Sequence, residues 1–201
     1  MPQSRRYKKK KSAGKAILAW IIVLAILAAA VFVFVSVFYE DTKKKLDEMN
    51  YPRTYSTYVE KAAKDYDLDP ALIYAVIHTE SGFDPKAESG VGAKGVMQMM
   101  PSSFEWLQEQ RGCAGQYTED DLFDPEICID YGSYLLKYFY DYYGTEHSAI
   151  AAYNAGFVVS DWLNDTNYSS DGKNLDSIPY PETENYVDKE MYIKLYYSQS
   201  N

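Results

Sequence analysis

The stretch Asp69-Pro70-Ala71-Leu72-Ile73-Tyr74-Ala75-Val76-Ile77-His78-Thr79-Glu80-Ser81-Gly82 decides how this chain is read. Asp69 can cap a helix, and Pro70 suits its first position, where a missing N–H costs nothing. Ser81-Gly82 ends it. Val76 and Leu72 lie four and eight residues before Glu80, so the glutamate continues an apolar stripe and is expected to face the core. Burial there disfavours the ionised carboxylate, and the negative end of the helix dipole acts in the same direction. A glutamic acid kept protonated near neutral pH is the group that general-acid catalysis needs. The competing reading of a lone glutamate at a helix end is a solvated side chain in a frayed last turn, so its surroundings decide.

Downstream lies Gly90-Val91-Gly92-Ala93-Lys94-Gly95-Val96-Met97-Gln98-Met99-Met100-Pro101. Gly90, Gly92 and Gly95 spell G-x-G-x-x-G, but a dinucleotide site needs that pattern after a strand in a parallel α/β unit, and no such unit is readable here. The glycines are expected to supply positive φ and close backbone approach in a loop beside a site. Metal binding has little support. The two histidines, His78 and His147, make no H-E-x-x-H, and His78 is two residues from Glu80, off its helix face. No G-x-S-x-G elbow marks a serine nucleophile, and nothing near the two cysteines activates a thiol.

Beyond this centre the pattern is helical almost throughout, with no convincing strand alternation. Helices are expected at 54–66, from about Pro101, at 125–142, 146–153, 158–163 and 183–197, with a polar exposed loop at 164–177. The domain therefore reads as mainly α. Most of the 21 tyrosines are expected to be packing residues with a wet hydroxyl.

The N-terminal part is different material. Residues 1–15 hold Arg5, Arg6, Lys8 to Lys11 and Lys15, and residues 16–38 are an uncharged apolar run. As a helix that run is roughly 34 Å long, enough to cross a bilayer. A cleaved signal peptide has a shorter apolar core, so an uncleaved anchor is expected. The excess of basic residues before it places the N-terminus in the cytoplasm and the rest of the chain outside. Residues 39–53 read as a charged linker, and residues 54–201 as one globular domain. From residue 40 onward lie all 29 acidic residues and 13 of the 20 basic ones. Nucleic acid is excluded as a partner by that balance. Cys113 and Cys128, fifteen positions apart in an exported segment, suit a disulfide worth about 3 kcal/mol. Two unpaired, partly buried thiols are the alternative, and the Cα separation decides.

Three segments in order carry a family resemblance. Glu80-Ser81-Gly82-Phe83, then Ser89, then Gly92-Ala93-x-Gly95-x-Met97-Gln98-x-Met100-Pro101, resemble the signature of the lysozyme-like lytic transglycosylases of family 1, the soluble lytic transglycosylase type. Ala149-Ile150-Ala151-Ala152-Tyr153-Asn154-Ala155-Gly156 resembles the second motif of that family, and Ile178-Pro179-Tyr180-Pro181-Glu182-Thr183-Glu184-Asn185-Tyr186-Val187 its third. Singly, Met97 is core filler, Ser89 a loop serine, Tyr153 a packed aromatic and Asn154 a turn cap. Their joint occurrence around Glu80 is what carries weight.

The resemblance implies a goose-type lysozyme/lytic transglycosylase fold following the transmembrane helix, and needs no cofactor. It makes Glu80 the single catalytic acid and base, cleaving the MurNAc–GlcNAc β-1,4 bond of peptidoglycan with 1,6-anhydro-MurNAc as product. Ser89 would orient the sugar, Met97 and Gln98 line the cleft, and Tyr153 sit near Glu80 at the scissile bond. Asn154 would brace the cleft, Glu182 would lie near the peptide side, and Tyr186 would follow it. Peptidoglycan strands and the plasma membrane are the expected partners, with cell-wall or secretion machinery a further one. A goose-lysozyme-like hydrolase and an inactive wall-binding module are the rival readings. Two positions depart from the family: Cys128 stands where Asn is common, which favours the disulfide, and Glu184 stands where Arg is common.

Overall fold

A computed structural model describes residues 4–199, with side chains described from residue 14 onward. The side chains of Arg5, Arg6 and Lys8 to Lys11, and residues 1–3 and 200–201 of the expected segments, lie outside that range. The chain divides into two compact units, Met1–Pro52 and Arg53–Asn201.

The first unit is one helix, α1 (Ser4–Asn50). Its stretch Gly14–Asn50 is long and apolar enough to cross a membrane, with mean hydropathy reaching 3.2 and none of that window buried in protein. Large apolar side chains such as Trp20, Phe32 and Phe34 are exposed along it. Residues 39–53, the expected linker, are helical as far as Asn50. The reason is local. Nothing between Phe38 and Pro52 breaks a helix, and Lys45–Asp41 (2.7 Å) and Lys44–Glu48 (3.8 Å) are helix-supporting pairs at i,i+4 spacing.

The second unit is built from α2 (Ser56–Tyr66), α3 (Pro70–Ser81), α4 (Pro101–Gln110), α5 (Pro125–Tyr143), α6 (Glu146–Ala155), α7 (Val159–Leu163) and α8 (Pro181–Gln199). Among the described residues there is no strand, only isolated antiparallel bridges pairing Glu88 with Lys94 and Lys94 with Met99. Four helices open on proline: α3, α4, α5 and α8. Asp69 accepts from the Ala71 N–H at 2.9 Å and Asp124 from the Glu126 N–H at 2.8 Å, each capping the proline-led helix that follows. A short 3-10 turn, Glu119–Phe123, was not foreseen, though Thr118 and Asp121 form its capping box.

All residues from Ala71 to Ile77 are buried, so α3 is enclosed on every side rather than along one stripe. Helix α8 packs along it, with Tyr197 stacked on Tyr74 at 5.1 Å, and α2 also packs against it. Lys194 of α8 bridges Glu146 at the start of α6 (2.7 Å) and Asp69 at the start of α3 (3.3 Å). Three helices are thereby fixed at one end of the domain.

The expected disulfide is not formed; Cys113 and Cys128 are both free. The fold turns their sulfurs to different partners. Cys113 Sγ lies 3.3 Å from the Tyr131 hydroxyl, whereas Cys128 Sγ is buried and accepts from the Met97 N–H at 3.4 Å. Burial pushes the Cys128 thiol up to about 12, so it stays protonated and packs as a small apolar group.

Candidate active site

Glu80 is the penultimate residue of α3, and Ser81 fastens that helix end to the glycine-containing loop. The Ser81 hydroxyl donates to the Val96 carbonyl at 2.8 Å, with the Ile77 carbonyl also at 3.2 Å, and accepts from the Phe83 N–H at 3.1 Å. The loop folds back on itself through paired backbone bonds between Lys94 and Met99 and a bond from the Gly95 N–H to the Ala87 carbonyl. Gly95 is the residue that lets it close: its φ is +76°, and a Cβ there would meet the Leu122 carbonyl oxygen at 2.0 Å and Cys128 Sγ at 2.9 Å. Gly92 also has positive φ, whereas Gly90 has neither that nor a close neighbour. Of the three glycines, only Gly95 meets both expectations.

The Glu80 carboxyl is half-buried, and its Oε1 accepts a hydrogen bond from the Tyr186 hydroxyl of α8 at 2.7 Å. Burial raises its pKa to about 6, while the Tyr186 hydrogen bond and the charge of Lys189 pull the other way. Tyr186 itself is held well above its ordinary value, by burial first and then by Glu190 and Glu80, so it remains a donor. Tyr153 of α6 donates to the Met97 carbonyl at 2.9 Å, with the Met99 sulfur at 3.6 Å. Burial, and after it the charges of Glu80, Cys128 and Glu190, keep Tyr153 protonated too.

The expected site residues take up unequal places. Glu80 and Tyr186 are in direct contact, and Tyr153 joins them electrostatically. Asn154 Oδ1 accepts from the Thr183 hydroxyl at 2.8 Å, tying the end of α6 to the start of α8. Met97 does not line a cleft with its side chain. It is fully buried against Gly132, where a Cβ would come within 2.6 Å of its sulfur, and only its carbonyl reaches the Tyr153 hydroxyl. Gln98, at φ 47°, spends its amide nitrogen on the Ala87 (3.0 Å) and Gly95 (3.1 Å) carbonyls and so braces the loop. Ser89 is held within the same loop, its Oγ accepting from the Ala93 N–H at 3.0 Å. Glu182 is exposed in the first turn of α8. Among the described residues no hydrogen bond joins Ser89 or Glu182 to Glu80.

Sequence reasoning passed over two contributors. Ser81 carried a signal, since a hydroxyl beside a helix-ending glycine is placed to bond backbone. Glu190 is fully buried one turn after Tyr186, and the 186/190 spacing within a readable helix could have placed both on one face. Chemically, the arrangement offers a reachable carboxyl whose pKa is raised to about 6, so that it holds its proton well above the range of an ordinary glutamate. Its anion, once formed, is already hydrogen-bonded by a phenol. Such a group can give a proton and take one back.

The family model described as Transglycosylase SLT domain matches residues 57–175, more than half of the chain. The soluble lytic murein transglycosylase of Escherichia coli strain K12 is 31% identical over 153 residues, covering 75% of this chain and 24% of the relative. Membrane-bound lytic murein transglycosylase C of Actinobacillus succinogenes is 35% identical over 113 residues, covering 52% of this chain and 32% of the relative. Among solved structures, the 70 kDa soluble lytic transglycosylase of Escherichia coli superposes with a TM-score of 0.67 at 27% identity, over 76% of this chain and 25% of that one. The chain spans about a quarter to a third of the length of these relatives. Tyr186 and Glu190 lie beyond the residues that the family model matches.

Proposed function

Since the chain belongs to the transglycosylase SLT domain family, we propose that it is a lytic transglycosylase of peptidoglycan in which Glu80 serves as both acid and base. The supporting observation is the state of Glu80: half-buried, raised to about 6, and hydrogen-bonded by Tyr186. As the acid, Glu80 protonates the glycosidic oxygen between N-acetylmuramic acid and N-acetylglucosamine, and an oxocarbenium-like centre develops at C1. Tyr186 then steadies the carboxylate that remains. That carboxylate takes the proton of the muramyl C6 hydroxyl, which attacks C1 and closes the 1,6-anhydro ring. The nucleophile is part of the substrate, so the chemistry needs no second reachable carboxylate. Tyr153 and Asn154 flank the reaction centre, and Ser89 and Gln98 shape the loop beside it through their bonds to the loop backbone.

In the same reading α1 is a single-pass anchor. Its N-terminus is cytoplasmic, and the enzyme domain works on wall outside the plasma membrane. The name of the Actinobacillus relative, membrane-bound, is compatible with this arrangement.

Digestion of purified peptidoglycan by the full chain and by Glu80→Gln, with the muropeptides weighed by mass spectrometry, tests the proposal. Anhydro-muramyl ends that disappear in the variant are expected. Reducing ends would make the protein a hydrolase, and no cleavage by folded native protein would reduce it to a wall-binding module.

A further inference from the structure

Among the described residues, Glu190 is the one fully buried carboxyl group, and the reaction above leaves it unused. Its side chain has 0% exposure, and neither oxygen has a hydrogen bond of ordinary geometry; the Thr79 hydroxyl beside it is the one polar group that favours its anion by hydrogen bonding. A buried polar group without partners is costly, and such groups concentrate where function requires them. Glu190 follows Tyr186 by one helical turn, on the face of α8 that packs against α3. Tyr186 in turn holds Glu80.

The groups around Glu190 are few. From α3 come Thr79 and Glu80; from α8, Tyr186 and the exposed Lys189; from α6, Tyr153. Lys189 is the lone cation in that set, and it does not form an ion pair with Glu190. Burial, reinforced by the charge of Glu80, pushes Glu190 up to about 8. The effect is one-sided for a physical reason. While Glu80 titrates near 6, Glu190 is still neutral and does not repel the new anion; Glu190 loses its own proton only against a Glu80 already charged.

We propose that Glu190 is a positioning residue for Glu80: as an uncharged acid it completes the dry wall that holds Tyr186 on the catalytic carboxyl, and its ionisation releases that wall. The proposal rests on the reading of Glu80 as the acid and base. A transglycosylase cycle passes through one negative charge at the site, on Glu80 between its two proton transfers. Neutral Glu190 permits that charge. An ionised Glu190 opposes it and must itself be hydrated, which means opening α8 from α3 at the turn that carries Tyr186. The site is thus built to hold one charge and not two.

The test uses the full chain in detergent micelles with its glutamate carboxyls labelled with carbon-13, the Glu80 resonance being assigned by its loss in Glu80→Gln. The Glu80 signal is expected to move twice, near pH 6 and again near pH 8. Glu190→Gln should abolish the upper step alone. A single step in the native protein, or an upper step that survives the substitution, overturns the proposal. If Glu190→Gln does not fold, Glu190→Met, uncharged and of similar volume, serves in its place with the same expectation.

Activity supplies a second readout. Release of soluble wall fragments by the native chain should fall about tenfold per pH unit between 6 and 8 and about a hundredfold per unit above 8, against about tenfold throughout for the variant. Equal slopes would also overturn the proposal. Failure of the native chain to cleave at any pH would refute the transglycosylase reading, and the carboxyl titration would still decide the role of Glu190.

Discussion

The contact that most shapes Glu80 comes from Tyr186, 106 residues away in sequence. Its hydroxyl favours the carboxylate, so removing it must make ionisation harder. In Tyr186→Phe the pKa of Glu80 should rise by roughly half a unit to one unit, from a hydrogen bond worth about 1 kcal/mol. The alkaline limb of the pH–rate profile should move upward by that amount while the maximal rate falls. A downward movement would mean that the phenol opposes the anion. The burial of Glu80 was legible from its place on an apolar helix, but its hydrogen-bond donor was not, because sequence spacing says nothing about which distant aromatic a fold brings back. Met97 shows the reverse limit. Its motif position suggested a cleft, and the missing side chain of Gly132 drew it into the core instead.

Among the elements, those marked by chemistry at both ends were readable. Asp69-Pro70 and Ser81-Gly82 bracket α3, and Pro125 and Gly144 bracket α5. The helix α1 continues to Asn50 through the segment read as a charged linker, where only Pro52 is a breaker. The disulfide failed: loop length allowed it, whereas the direction of each sulfur is set by α5 and by the turn after α4. The loop between α3 and α4 depends on Gly95. Gly95→Ala places a Cβ on the Leu122 carbonyl in a backbone conformation that L-residues avoid, and should destabilise the domain by about 3 kcal/mol or more. Chemical denaturation monitored by tryptophan fluorescence would show it. Gly90→Ala, with open space and no positive φ, should be nearly neutral and serves as the control.

At the scale of the molecule, the two raised carboxyls make stability depend on pH in a definite direction. Glu80 and Glu190 keep protons in the folded state at pH values where the unfolded chain, at the ordinary 4.5, has lost them. The native state then binds more protons than the unfolded one, so stability falls as pH rises from 4.5, through 6 for Glu80 and through 8 for Glu190. Glu190 alone sets a difference of about 5 kcal/mol at most, and Glu190→Gln should flatten the decline between pH 6 and 8 when urea midpoints are compared. A native protein equally stable at pH 5 and pH 8 would contradict the burial argument. The anchor makes its own prediction. In bacterial membranes the full chain should resist extraction by alkaline carbonate and yield only to detergent, and external protease should digest the enzyme domain in intact spheroplasts. Release by carbonate would make α1 a peripheral helix.

The bond between Tyr186 and Glu80 also sets an order in time. A ribosome that has just added Glu80 must still add 106 residues to complete Tyr186, a delay of roughly 5–20 s at ordinary rates of synthesis. Until then Glu80 has no phenol, no dry wall and an ordinary carboxylate's acidity. If Glu80 is the acid and base proposed above, the growing polypeptide is inert until α8 packs on α3, by which time α1, made first, is already complete.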